Sequence, residues 1–287
     1  MIEHPLSERD RAPLAKLLET AAPMKGKGEL GPAGRAGFAE MMAHTPAAPD
    51  VAYEAATVGG IAGWWCRPAA ARPDTAILYL HGGAYVQGSA RAFQHLAGQI
   101  ASRVKAATFI PEYRLGPEHR FPAAFDDAVA AFRGLTESSV ALVGDSAGGG
   151  LALAILPKVR AKAIAVMSPW ADLALASPSM ATRAAADPFL TPAALRQAAA
   201  MYLGDHDPRD PNASPVYGDH AGLPPVLIHV GDAEILRDDS VRYAETSPRC
   251  ELHVWSGMPH VFPSSVGMFE ASALALDHIG AFIEGAR

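Results

Sequence analysis

Ser146 lies at the centre of Gly144-Asp145-Ser146-Ala147-Gly148, a G-x-S-x-G pentapeptide. The apolar run Val140–Val143 precedes it and the helical stretch Ala147–Leu156 follows it. Strand, tight turn and helix in that order form the context in which such a serine becomes a nucleophile. The hydroxyl must project from a strained turn, and glycine on both sides removes the Cβ atoms that would collide there. The Ala147 N–H falls at a helix start, where backbone donors lack partners and can hold an oxyanion. The plainer alternative is a serine that caps a glycine-rich helix. A nucleotide loop does not fit, because no G-x-G-x-x-G follows the first parallel strand and no G-K-S/T is present.

A second glycine pair follows another apolar run. Ala76–Leu80 ends in His81-Gly82-Gly83-Ala84-Tyr85. Adjacent glycines at a strand end let backbone N–H groups approach a ligand with no Cβ between. Acyl transfer needs donors where negative charge develops, so Gly82 and Gly83 are expected to supply two and Ala147 a third. His81 belongs to this loop and is expected to hold it by hydrogen bonds rather than act as a base.

These motifs together resemble the hormone-sensitive-lipase-like esterases of the α/β-hydrolase superfamily. His81-Gly82-Gly83-Ala84 is similar to their H-G-G-G, Glu112-Tyr113-Arg114-Leu115-Gly116-Pro117-Glu118-His119 to their D-Y-R-L-A-P-E-H, and Gly144-Asp145-Ser146-Ala147-Gly148-Gly149 to their G-D-S-A-G-G. The similarity runs from about residue 75 to 265. Ala84 replaces the third glycine, and Glu112 and Gly116 replace Asp and Ala in a segment read as structural. The resemblance implies an acid after the next-to-last strand and a histidine after the last. Within Gly231-Asp232-Ala233-Glu234-Ile235-Leu236-Arg237-Asp238-Asp239, alignment on Leu236 and Asp239 places the acid at Glu234, with Asp232 as the rival. Ser256-Gly257-Met258-Pro259-His260-Val261-Phe262 resembles the family's G-M-x-H-x-F and makes His260 the base. Ser146, Glu234 and His260 then follow the superfamily's chain order of nucleophile, acid and histidine.

The implied reaction is hydrolysis of a small or medium carboxylic ester through an acyl-enzyme, with no cofactor. Tyr85, Trp170, Phe189, Tyr202, Met258 and Val261 are expected as pocket walls. An amidase, arylformamidase or lactonase would use the same residues, and a non-catalytic binding protein on this fold is the alternative of a different class.

The elements that must position these residues are short. Val51–Val58 and Ile61–Arg67 read as a hairpin turning at Gly59-Gly60. Ala76–Leu80, Ala106–Ile110, Val140–Val143, Ala163–Met167, Val226–Val230 and Glu251–Trp255 read as further strands, and most are apolar without polar alternation. That is the signature of parallel strands covered on both faces. Helical segments at Phe93–Val104, Pro122–Arg133, Ala147–Leu156, Ser240–Thr246 and Phe269–Glu284 alternate with them. The expectation is an α/β-hydrolase fold with a mostly parallel eight-stranded sheet flanked by helices. Residues 1–45 read as an N-terminal cap segment ahead of a catalytic domain at 46–287. The stretch at about 170–220 is too long for an ordinary connection and reads as a cap insertion around the helix Thr191–Leu203.

Composition removes other classes. Lys and Arg number 24 against 30 Asp and Glu, and the net charge of -6 gives no footprint for nucleic acid or an anionic membrane. Hydrophobic residues make up 49% of the 287, which excludes a disordered chain. No apolar run reaches the length of a membrane span, and the first residues lack the charged and apolar regions of a secretory signal, so a cytoplasmic protein is expected. Two cysteines, Cys66 and Cys250, cannot make a disulfide framework and read as free thiols. No metal motif is present: H-E-x-x-H is absent, and the acidic run Asp205–Asn212 lacks the calcium-loop pattern. A small-molecule ester is the expected partner. A monomer or a homodimer is expected, and the resemblance implies that a homodimer would form through the end of the sheet that carries the last strands.

Overall fold

The computed structural model describes residues 1–286. Nine strands form one sheet: β1 (Ile2–His4), β2 (Val51–Val58), β3 (Ile61–Pro68), β4 (Arg72–Leu80), β5 (Ala106–Pro111), β6 (Ser139–Asp145), β7 (Ile164–Met167), β8 (Val226–Gly231) and β9 (Cys250–Trp255). Their spatial order is β1-β9-β8-β7-β6-β4-β5-β3-β2. The β2–β3 and β3–β5 pairs are antiparallel and every other pair is parallel. This is the α/β-hydrolase architecture expected, with one strand more than the eight apolar runs supply. The extra strand is β1, which pairs with His253–Trp255 and covers the edge of β9.

The helices are α1 (Glu8–Ala21), α2 (Arg35–Met42), α3 (Gln94–Val104), α4 (Ala123–Gly134), α5 (Ser146–Ile155), α6 (Ser179–Thr182), α7 (Pro192–Leu203), α8 (Arg237–Thr246) and α9 (Glu270–Gly285). Period-two alternation along the strands divides the core. Ile77, Tyr79, Ala141, Val143, Ala165 and Leu227 pack against Leu96 and Ile100 of α3 and Leu276 and Ile279 of α9. Leu78, Leu80, Leu142, Ile164, Val166 and Ile228 face the other way, toward α4 and α5. Burying both faces of the parallel strands is the main apolar term that holds the sheet, at roughly 25 cal/mol per Å².

Both ends of the chain are fastened together. Asp10 of α1 is buried, and its carboxylate accepts the N–H groups of Glu270 (2.7 Å) and Ala271 (3.1 Å). It thereby caps α9, whose own N-cap residue, Phe269, offers no side-chain bond. No helix among the described residues is long and apolar enough to cross a membrane. Cys66 and Cys250 are free, and burial pushes both thiols up to about 12, which keeps them unreactive at neutral pH.

Candidate active site

The turn from β6 into α5 places Ser146 at φ +52°, in the left-handed region. The flanking glycines are required by close approach. A Cβ on Gly148 would lie 2.1 Å from the Leu80 carbonyl oxygen, and one on Gly144 would lie 2.5 Å from that of Gly148. The backbone of the insertion braces the same turn, because the Trp170 N–H donates to Ser146 O at 2.9 Å.

His260 lies in the loop after β9, with Nε2 2.9 Å from Ser146 Oγ and Nδ1 2.6 Å from Glu234 Oε2. A carboxylate at Nδ1 keeps the proton there, so the Nε2 lone pair faces the serine hydroxyl. Burial alone would lower the His260 pKa, but the charge and hydrogen bond of Glu234, helped by Asp187 and Asp145, carry it above the ordinary histidine value.

Glu234 is fully buried, and its second oxygen is satisfied as well. Oε1 accepts the Gly231 N–H and the Ser168 hydroxyl, both at 2.7 Å. The Ser168 Oγ in turn accepts the Val261 N–H at 3.0 Å. One hydroxyl therefore ties the acid to the loop that carries the histidine. Sequence reasoning missed Ser168, whose only signal is a polar residue closing the apolar strand β7 before Pro169. Asp232, the rival acid, faces away from the imidazole toward Arg183 (2.9 Å) and Arg237 (3.1 Å).

The segment between β7 and β8 holds the acid loop by hydrogen bonds. Asp187 Oδ2 accepts the Ile235 N–H at 2.9 Å, and its Oδ1 accepts the N–H groups of Phe189 and Leu190. Ser179 donates to Ile235 O at 2.6 Å. Asp239, in the first turn of α8, reaches back to the N–H groups of Ala171 and Asp172.

The oxyanion loop differs from expectation at one residue. The Gly82 N–H does not face an approaching ligand: it donates to Asp145 Oδ1 at 3.0 Å. The same oxygen accepts the Tyr79 hydroxyl at 2.6 Å. Asp145 is buried, burial pushes its pKa up to about 6, and it needs these donors to remain ionised. Beyond it the chain turns through three successive positive φ values, at Gly83 (+116°), Ala84 (+56°) and Tyr85 (+64°). Among the described residues, the N–H groups of Gly83, Ala84 and Ala147 meet no acceptor. His81 holds the loop, with Nδ1 2.7 Å from Gly82 O and its own carbonyl accepting the Tyr113 hydroxyl at 2.6 Å. Burial lowers the His81 pKa to about 4, so the ring is neutral near pH 7.

The expected pocket walls divide into two groups. Tyr85, Trp170 and Tyr202 are at most 1% exposed, and the Tyr85 and Tyr202 rings stack at 4.1 Å, so they are packed core beneath the site and not an open wall. Met258 packs with Leu14, Trp255 and Phe262 in a separate cluster toward the N-terminal helix. Val261 adjoins His260 at φ +49°, and Phe189, 40% exposed, stands on the insertion. Residues of the N-terminal segment complete the surroundings. Arg35 donates to Val86 O and Gly116 O, both at 3.0 Å, Gln87 donates to Glu29 O at 2.8 Å, and Lys25 donates to Ala184 O at 2.7 Å. This segment therefore bridges the oxyanion loop and the insertion. Its Phe38 and Met42 pack against the cluster that holds Phe93 and Val261.

Comparison with known proteins identifies the family. A family model described as alpha/beta hydrolase fold matches residues 77–264. An acetyl-hydrolase of Streptomyces hygroscopicus is 41% identical over 245 residues, which cover 80% of this chain and 82% of that protein. The crystal structure of an esterase from the bacterial hormone-sensitive lipase family superposes with a TM-score of 0.91 at 32% identity, covering 98% of this chain and 99% of that one. The structure of EstE5 from crystals soaked with p-nitrophenyl butyrate superposes at 0.88 with 36% identity, over 94% of this chain and 97% of the other. The chain belongs to the α/β-hydrolase fold family and is a serine carboxylesterase of the hormone-sensitive-lipase-like type.

Proposed function

We propose that the protein hydrolyses esters of short and medium acyl chains, with Ser146 as nucleophile, His260 as base and Glu234 as the acid that orients it. The observation that carries this reading is the continuous hydrogen-bonded series Ser146–His260–Glu234, at 2.9 and 2.6 Å. His260 Nε2 takes the hydroxyl proton as Ser146 Oγ attacks the ester carbonyl. The carbonyl π pair moves onto oxygen, where the N–H groups of Gly83, Ala84 and Ala147 receive it. Each such donor contributes about 3 kcal/mol to the transition state. The imidazolium, stabilised by Glu234, then protonates the departing alkoxide and leaves an acyl-serine. Water attacks that acyl group, His260 takes its proton, and Ser146 Oγ leaves with the proton returned.

The limit on acyl length is proposed from the roof. The segment 1–45 bonds to the oxyanion loop and to the stretch between β7 and β8, and its Phe38 and Met42 pack against the cluster that holds Val261 beside His260, an arrangement that favours a modest chain. The acetyl-hydrolase among the relatives, and the butyrate ester used to soak EstE5, fit the same size. The test is a series of p-nitrophenyl esters from acetate to laurate, run beside lactones and N-formyl anilines. The expected result is the highest kcat/KM between acetate and hexanoate, with at least a tenfold fall by laurate. A maximum at laurate, or faster turnover of the formyl anilines, would overturn the proposal.

A further inference from the structure

Four histidines from four elements meet at the edge of the sheet, outside the hydrogen-bonded series of the active site. They are His4 on β1, His229 on β8, His253 on β9 and His278 on α9. One ring nitrogen from each of His4, His253 and His278 falls within 4.8 Å of the others. His229 packs beside them, its ring 4.8 Å from that of His253 and 5.7 Å from that of His278.

Three features of this cluster go beyond ordinary packing. The His253 ring is oriented as a ligand would be: its Nε2 lies 2.6 Å from Glu251 Oε1, and a carboxylate there keeps the proton on Nε2 and turns the Nδ1 lone pair toward His4 Nε2, 2.7 Å away. Carboxylate–imidazole pairs of this kind fix metal-binding histidines. Two ring nitrogens are also buried without a partner among the described residues, Nδ1 of His278 and Nε2 of His229. The Trp255 indole N–H donates to His229 Nδ1 at 3.0 Å, so His229 turns an N–H, and not a lone pair, toward its surroundings. That leaves three imidazole ligands with one further donor beside them. Finally, a cavity of about 210 Å³ bounded by His4, Trp255, Glu270 and Leu274 touches the cluster at His4.

We propose that His4, His253 and His278 bind a transition-metal ion, with Zn²⁺ the best match, that staples the first strand to β9 and α9. Three neutral nitrogen ligands with no thiolate suit a borderline ion, and a water completes the tetrahedron. Tetrahedral Zn–N bonds of 2.0–2.1 Å set ligand nitrogens about 3.3 Å apart, so the His4–His253 contact must open by roughly 0.6 Å. His4 is only half-buried, and its ring stacks on Trp255 with centroids 3.9 Å apart, so the opening is a slide along that face. The ligands come from both ends of the chain, and binding would close the loop between them.

The test uses the full-length protein after chelation and dialysis. Titration with Co²⁺ should give the visible absorption of a tetrahedral ion, saturating at one equivalent and erased by Zn²⁺. One equivalent of Zn²⁺ should raise Tm by several degrees. His253→Gln and the more exposed His278→Gln should each lose both responses, while His44→Gln, on the surface of another region, should keep them. A chain that gives neither the band nor the Tm rise, or one whose band survives in both His253→Gln and His278→Gln, would overturn the proposal.

Discussion

His260 and the histidines at the sheet edge are the same side chain in opposed electrostatic settings. Burial works against the charged form in both places. Beside Ser146 the penalty is outweighed by Glu234, with Asp187 and Asp145 behind it, and the His260 pKa rises. At the edge, burial is reinforced by neighbouring imidazoles, and the pKa values of His4, His229 and His278 fall. One setting makes a base whose cation is stabilised once a proton arrives. The other favours the neutral form of the ring. The charge of the neighbours, and not the ring alone, sets which protonation form is favoured.

The sharpest way to break this contrast is to remove the charge beside His260. Glu234→Gln should lower turnover by roughly 10²–10⁴-fold, with KM changed much less. Asp232→Asn should cost less than about tenfold, because Asp232 pairs with Arg183 and Arg237. The pH profile gives a second readout. On the proposed mechanism the wild type requires neutral His260, so kcat/KM should rise with pH through a midpoint above the ordinary histidine value. Glu234→Gln removes the attraction that holds the imidazolium, so its midpoint should move to lower pH even as the plateau drops. A larger loss in Asp232→Asn at unchanged Tm would reassign the acid.

A smaller effect is expected one bond further out. Ser168→Ala deletes the hydroxyl between Glu234 and the Val261 N–H. A hydrogen bond to a buried carboxylate contributes about 1.5–3 kcal/mol, so kcat should fall roughly tenfold to a hundredfold, with KM held. Restoration by Ser168→Thr would separate loss of the hydroxyl from loss of packing, whereas an unchanged kcat in Ser168→Ala would remove Ser168 from the account.

The smallest effect belongs to the edge region. Asp10→Ala uncaps α9 and should cost about 1–2 kcal/mol, read as a lower Tm, with turnover unaffected. A fall in turnover at constant Tm would mean that the N-terminal helix acts on the active site and not on the stability of the fold.

The difference between the two regions also marks how far the sequence could be read. The central strands were legible because each is an apolar run of four or more residues between helical segments, and Ser146 because glycines flank it at fixed offsets. β1 was not, since Ile2-Glu3-His4 has neither length nor alternation and becomes a strand only by pairing with β9. The Gly82 N–H was misread for a related reason. Its acceptor, Asp145, lies 63 positions away and is brought there by the pairing of β4 with β6. Tyr85, Trp170 and Tyr202 carry apolar rings suited to a pocket or a core, and only packing separates the two uses. The histidine cluster joins positions 4, 229, 253 and 278, a spacing that no local motif encodes.

The proposed mechanism stands on Ser146 forming the covalent intermediate. A fluorophosphonate added to the full-length enzyme, followed by intact-mass and peptide mass spectrometry, tests it most directly. The expected result is one adduct per chain on the peptide that carries Ser146, loss of esterase activity in step with labelling, and neither adduct nor turnover in Ser146→Ala. An adduct on another residue, or ester hydrolysis that persists in Ser146→Ala, would contradict it.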